Sequence, residues 1–112
     1  GAALTPQLVQ AELHPTALIC ANDDMAVGAM FAAHRMGLAI PSQLSVVGFD
    51  DTPVSAIIWP PLPTVPQPLK RLGARAAELL VGQVRKTQDH GERTEEIIPH
   101  QLMARESTVA IS

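Results

Sequence analysis

The order of three apolar segments near the start of the chain constrains its fold most strongly. Thr16 to Cys20 is a short run without alternation, which is typical of a strand covered on both faces. From Asp24 to Met36 apolar residues recur at steps of three and four, and Gly37 follows as the expected helix stop. A second apolar run, Leu44 to Val47, is closed by Gly48. The order predicts a strand-helix-strand unit with parallel strands and a right-handed crossover.

The rest of the chain extends this α/β pattern. Thr52 to Trp59 is compatible with a short helix. In the proline-rich stretch that follows, Leu62 to Gln67 lacks the backbone donors of a central strand, so we expect an edge strand or a stiff connection. Leu69 to Lys86 has the pattern of an amphipathic helix of about five turns. We expect a polar surface loop over Thr87 to Glu95, and one bent or two short strands over Glu96 to Arg105.

Composition limits the classes of function. A chain of 112 residues that is 46% hydrophobic and 17% charged is typical of one soluble globular domain. The eight Lys and Arg are dispersed and outnumbered by eleven acidic residues, which argues against a nucleic-acid surface in this chain. Its apolar runs are far shorter than the ~20 residues of a membrane span, and its first residues lack the pattern of a secretory signal.

The single cysteine, Cys20, cannot form an internal disulfide. That count fits a reducing compartment, and we expect a cytoplasmic protein without a membrane partner. Because Cys20 ends an apolar run, we expect its thiol to be buried and inert.

Two polar clusters stand at equivalent places, each directly after an apolar strand. Asn22, Asp23 and Asp24 follow the first strand, and Asp50 and Asp51 follow the second. In an open parallel sheet, ligands bind beyond the carboxyl ends of the strands. Asn22 can donate and accept while Asp50 can accept two hydrogen bonds, which suits the vicinal hydroxyls of a sugar or nucleoside. The alternative is helix capping, which we favour for Asp23 and Asp51 and which stays open for Asn22 and Asp50.

Catalytic and metal signatures are missing from the sequence. No nucleophile elbow or glycine-rich phosphate loop follows a strand. The adjacent Asp50 and Asp51 point in different directions at a strand end, with no separate nucleophile suggested. Metal-ligand spacing is absent among the four histidines, His14, His34, His90 and His100. We therefore expect no enzyme, no metal and no cofactor.

Four segments closely resemble, in this order and spacing, the C-terminal part of lactose-repressor (LacI/GalR) family transcription regulators. They are Ala21 to Ala29, Ser45 to Thr52, Pro60 to Pro68 and Arg105 to Thr108. The resemblance implies a type-I periplasmic-binding-protein-like α/β fold, in which two lobes hold an effector, often a sugar or nucleoside, between them. It implies a partial fold here, mostly the second lobe (1–66) plus the last crossover with the amphipathic helix and terminal strands (67–112), without the DNA-binding headpiece.

The resemblance also implies a set of binding residues. By position, Asn22 and Asp50 match ligand-hydroxyl contacts, and Gln67, on the connection between lobes, matches a third. Phe49 in the same motif is included among the ligand-binding residues. Leu69 falls where some members place an aromatic ring against the ligand, so that a stacking contribution would be lost.

A subunit interface is the last implication. The resemblance places Ile57, Ile58 and Trp59 near the interface of a homodimer, where aromatic and aliphatic anchors are expected. The alternative is that the Trp59 ring covers the edge of a lobe. The expected function is effector sensing in a regulator that binds DNA through the headpiece, and the alternative is the substrate-binding protein of a sugar importer.

Overall fold

The computed structural model describes residues 1–11, 14–85 and 95–111. The chain divides into two compact units, residues 1–67 with 101–112 and residues 68–100. The helices and strands of the first unit, in chain order, are α1 (Thr5–Val9), β1 (Ala17–Ile19), α2 (Asp23–Arg35), β2 (Ser45–Val47) and α3 (Pro53–Ile57). The second unit contains α4 (Leu69–Arg85).

The strand-helix-strand unit is confirmed. Strands β1 and β2 pair in parallel, with Leu18 opposite Val46, and α2 connects them. The backbone amide of Cys20 extends the pairing by donating to the carbonyl of Val47 at 2.8 Å. The two predicted apolar runs therefore form adjacent strands whose carboxyl ends meet at one edge of the sheet.

The core lies where α2 packs on the strands. Ala26, Met30 and Ala33 on one face of α2 are buried against Leu44 and Val46. The alanines bring the helix backbone close to the sheet, and Met30 fills the remaining volume. The helix is followed by Gly37, whose φ of 76° is in the left-handed region that glycine tolerates. The predicted glycine stop is therefore present.

The proline-rich connection lies beside β2 and mostly accepts hydrogen bonds. The amide of Gly48 donates to the carbonyl of Pro63, and the amide of Asp50 donates to the carbonyl of Val65, both at 2.9 Å. Proline is tolerated in such a segment because the missing N–H groups are not needed there. The segment is extended, in line with the interpretation as an edge strand or stiff connection.

The strands predicted over Glu96 to Arg105 are wrong. In the described part of this stretch only Met103 pairs, through a single antiparallel bridge with Thr64. A longer ladder would need donors on both sides, and the prolines that flank Thr64 remove them.

The tail of the chain packs with the first unit, whereas the sequence analysis grouped it with the amphipathic helix. Buried Ser107 explains the difference, since its carbonyl accepts from the Val46 amide and its hydroxyl donates to the Val46 carbonyl, at 2.8 and 2.7 Å. These bonds cover the side of β2 that faces away from β1.

Helices α1 and α4 differ in how well the sequence predicted them. Helix α1 was not predicted, although Pro6 in its first turn is a helix-start signal. Helix α4 matches the predicted amphipathic helix, while its expected last residue, Lys86, and the predicted loop up to residue 94 lie outside the described residues. All of α4 is described, and none of its residues is buried.

Within the described ranges, no helix is both long and apolar enough to cross a membrane.

Candidate functional site

The loops after β1 and β2 are joined at the carboxyl edge of the sheet. The backbone amide of Asp23 donates to the carbonyl of Phe49 at 2.9 Å. Asn22 and Asp50 are the chain neighbours of these two groups, so the structure brings them to the same edge. Both are partly exposed, as binding residues must be.

Asn22 caps helix α2. Its Oδ1 accepts a hydrogen bond of 2.8 Å from the amide of Met25, which would otherwise have no partner in the first helical turn. The capping role that the sequence analysis gave to Asp23 therefore belongs to Asn22. The cap uses Oδ1, and the N–H groups of Nδ2 take no part in it.

Asp50 and Gln67 form a pair. Gln67 Nε2 donates a hydrogen bond to Asp50 Oδ1, so two predicted ligand residues that lie 17 residues apart in the chain are in contact. Asp50 has a φ of 109°, a rare conformation for a residue with a Cβ. The bond uses one oxygen of Asp50 and one N–H of Gln67, and leaves Asp50 Oδ2 and Gln67 Oε1 as acceptors and the second N–H of Gln67 as a donor.

Asp23 is the buried anchor beneath this edge. Its side chain is 0% exposed and accepts hydrogen bonds from the amide and hydroxyl of Thr52, at 2.7 and 3.0 Å, and from the hydroxyl of Thr64 at 2.7 Å. Sequence reasoning missed this role because the partners lie 29 and 41 residues away. Asp23 ties the loop after β2 and the connecting segment to the start of α2.

Asp51 is bound to the tail of the chain, and its interpretation as a cap is wrong. The residue at the N-cap of α3 is Thr52, and its side chain makes no capping bond. The Asp51 carboxylate instead accepts from Arg105 at 3.0 Å and from the hydroxyl of Ser55 at 3.1 Å. Sequence reasoning assigned no individual role to Arg105, although its motif was singled out.

The remaining predicted ligand and interface residues differ in their position and exposure. Phe49 is 38% exposed next to Asp50, and Leu69 lies in α4, in the second unit. Of the proposed interface residues, Ile57 and Trp59 are 80% and 77% exposed, whereas Ile58 is half-buried and packs against the core.

Two other expectations concern the reactivity of Cys20 and the binding of a metal ion. Burial raises the pKa of the Cys20 thiol, although that side chain is half-buried rather than fully buried. A higher pKa keeps the thiol protonated and unreactive near neutral pH. Among the described residues, no group of three or more His, Cys, Asp or Glu side chains could hold a metal ion.

The periplasmic binding protein-like domain matches residues 2–108 of this chain. The chain belongs to that family. The periplasmic binding protein-like domain here is 40% identical over 93 residues to the HTH-type transcriptional repressor PurR of Vibrio atlanticus, covering 83% of this chain and 28% of that relative. The chain therefore spans less than a third of the length of that regulator.

Solved structures place the domain in the lactose-repressor family, which confirms the resemblance. The lac repressor dimer bound to operator and the anti-inducer ONPF has a TM-score of 0.81 and 34% identity, covering 97% of this chain and 37% of that one. A LacI family transcriptional regulator from Enterococcus faecium with bound ribose has a TM-score of 0.78 and 28% identity, with 96% and 38% covered. The predicted fold class is thereby confirmed as well.

Proposed function

We propose that this chain is the effector-sensing part of a ligand-responsive transcription regulator, and that it binds a small neutral polyol, a sugar or a nucleoside. The observation that supports this most directly is the meeting of Asn22, Asp50 and Gln67 at the carboxyl edge of a parallel sheet. Ligands of open α/β folds bind at this edge.

The hydrogen bonds within the protein define which groups are offered to the ligand. Asn22 offers the donor Nδ2, because its Oδ1 caps α2. Asp50 offers its second oxygen as an acceptor, and Gln67 offers its Oε1 and one remaining N–H, because the other oxygen of Asp50 and one N–H of Gln67 are paired with each other. A hydroxyl both donates and accepts, so neighbouring hydroxyls match a site that offers both amide donors and carboxylate or amide acceptors.

Charge favours a neutral ligand at this edge. Asp50 is an acid whose described partner is the uncharged Gln67, and the nearby Arg105 is paired with Asp51. A phosphate or carboxylate placed against Asp50 would meet a like charge in a partly desolvated site, which is unfavourable. Sugars and nucleosides avoid this cost.

The mechanism follows from two-lobed binding. An effector held between lobes shifts the population toward the lobe arrangement that it binds more tightly, by a coupling of about 1–3 kcal/mol. In a cytoplasmic homodimer, that shift would change the spacing of DNA-binding headpieces outside this chain. Exposed Ile57 and Trp59 are proposed as dimer contacts. The relatives named above are regulators, which favours this role over that of an importer subunit.

Calorimetry on the full chain tests the proposal. D-ribose and related neutral sugars are compared with D-ribose 5-phosphate. Asp50→Ala should weaken binding of the neutral ligand by about 1–3 kcal/mol through lost hydrogen bonds. Asp24→Asn is the control, because Asp24 is an exposed acid at the start of α2 and should not contact the ligand.

Two results would contradict the proposal. The first is tighter binding of the phosphate than of every neutral sugar, since it would place an anion against Asp50. The second is equal affinity of the unmodified chain and Asp50→Ala for the ligand that binds best.

A further inference from the structure

The turn that contains Asp50 needs support from outside itself. Asp50 and Asp51 have φ values of 109° and 56°, so two consecutive residues with a Cβ lie at positive φ. Such conformations cost about 1–3 kcal/mol each and persist only where surrounding contacts hold them. The orientation of the Asp50 carboxylate toward Gln67 depends on this turn.

The contacts that hold the turn converge on Asp51. Its amide donates to the Thr64 hydroxyl at 3.1 Å, and its carboxylate accepts from Arg105 Nη2 at 3.0 Å. The Arg105 and Asp51 side chains are 18% and 28% exposed, so the pair is partly shielded from solvent. Such a charge-assisted bond is stronger than one at the open surface.

Arg105 joins the turn to two other segments. Its Nη1 donates to the Ser55 hydroxyl at 3.0 Å and to the Leu62 carbonyl at 2.9 Å. Helix α3 and the start of the proline-rich connection are therefore fixed by the same guanidinium as the turn. A planar group with several donors can do this, whereas a lysine ammonium cannot reproduce the geometry.

We propose that Arg105 is a positioning residue of the ligand site: through Asp51 it holds the positive-φ turn that directs Asp50 toward Gln67. This inference rests on the proposed function. Arg105 does not contact Asp50 or Gln67 itself in the described structure, so it acts on their geometry and not on the ligand.

The test is NMR of the full chain, and it needs no ligand. In Arg105→Gln, the amide of Asp50 should exchange with solvent about tenfold faster, which corresponds to about 1.4 kcal/mol. The Gln67 side-chain amide signals should move toward those of an unpaired glutamine. The Cys20 amide, which is bonded between the strands, should change by less than about threefold and reports on the whole sheet.

A second substitution separates positioning from general support. Glycine adopts a φ of 56° without a steric cost, so Asp51→Gly should remove the need for Arg105. The double variant of Arg105→Gln and Asp51→Gly should return the Gln67 signals to those of the unmodified chain. A merely structural arginine, acting through Ser55 and Leu62, would not be rescued in this way.

Arg75→Gln removes an arginine that is paired with Glu78 and Glu96 in the second unit, and should leave the Asp50 exchange unchanged. Arg105→Lys should change the Asp50 exchange and the Gln67 signals in the same direction, but less strongly. It replaces Arg105→Gln in the test if that variant does not fold. Unchanged Asp50 exchange in both arginine variants overturns the proposal, as does equal loss of protection at Asp50 and Cys20 without rescue.

Calorimetry with D-ribose distinguishes this inference from the proposed function. If the unmodified chain binds D-ribose, Arg105→Gln should weaken it about tenfold and the double variant should recover most of the loss. Failure of the unmodified chain to bind any neutral sugar would count against the proposed function. The exchange measurements would still decide whether Arg105 positions Asp50.

Discussion

Asn22 has one observed role and one proposed role, and substitution can separate them. Its Oδ1 caps α2 through the Met25 amide, and its Nδ2 is the proposed donor to a ligand. Asn22→Asp keeps the acceptor and removes the donor. Asn22→Gly also removes the donor, but glycine is a tolerable N-cap. Asn22→Ala removes both functions.

The expected magnitudes follow from these roles. Loss of an N-cap side chain to alanine costs about 1 kcal/mol of unfolding free energy, whereas glycine costs a few tenths. Asn22→Asp should stay within about 0.5 kcal/mol, since a carboxylate at a helix N-terminus is favourable while Asp23, Asp24 and Asp50 oppose a further negative charge. All three variants should lose about 1–3 kcal/mol of ligand binding, or about 5- to 150-fold in affinity.

Urea unfolding and calorimetry measure the two effects independently. Trp59 is the only tryptophan, so its fluorescence follows unfolding of the first unit without an added label. If Asn22→Asp binds ligand as tightly as the unmodified chain does, the assignment of Nδ2 as the ligand donor is refuted. Asn22→Ala with unchanged stability would refute the contribution of the cap.

Three further predictions concern the surrounding structure. Asp23→Asn should lower the unfolding free energy in urea by about 2–4 kcal/mol, because the new amide would turn a donor toward a buried donor; a change under about 0.5 kcal/mol would contradict the network. Gly48→Ala should destabilise by about 1–3 kcal/mol, because an added Cβ would lie 2.3 Å from Asp23 Oδ1. Gly73→Ala should stabilise α4 by about 0.5–1 kcal/mol in thermal melts, because an added Cβ there would meet nothing within 4 Å beyond its chain neighbours and the nearby backbone of its own helix. The full chain should sediment as more than a monomer, and Trp59→Ser should lower that mass; a well-folded monomer in both cases would exclude the proposed interface.

The sequence predicted the parts of the fold whose cause is local. Two short apolar runs and a helical period were enough for the parallel unit around α2, and the amphipathic pattern from Leu69 to Lys86 was enough for α4. The position of Asn22 and Asp50 at one edge followed from the parallel arrangement, because parallel strands end on the same side.

The sequence could not reveal contacts between distant segments. Asp23 and Asp51 looked like caps, since the residues that bind them, Thr64 and Arg105, lie far along the chain. Apolar residues around Met103 suggested strands, but pairing depends on the donors of the partner segment, which the prolines remove. Contact partners of this kind become visible only in three dimensions.

The hydrogen bonds between Ser107 and Val46 affect how the fold can be reassembled from separate fragments. Because the tail and the proline-rich connection cover the outer side of β2, we expect an additional strand of this sheet to be added beside β1, where Ile19 is 87% exposed. In a fragment-complementation experiment, a peptide that supplies the neighbouring strand should therefore dock at β1. Cutting the tail away would free the amide and carbonyl of Val46 for a competing partner and lower the fidelity of reassembly.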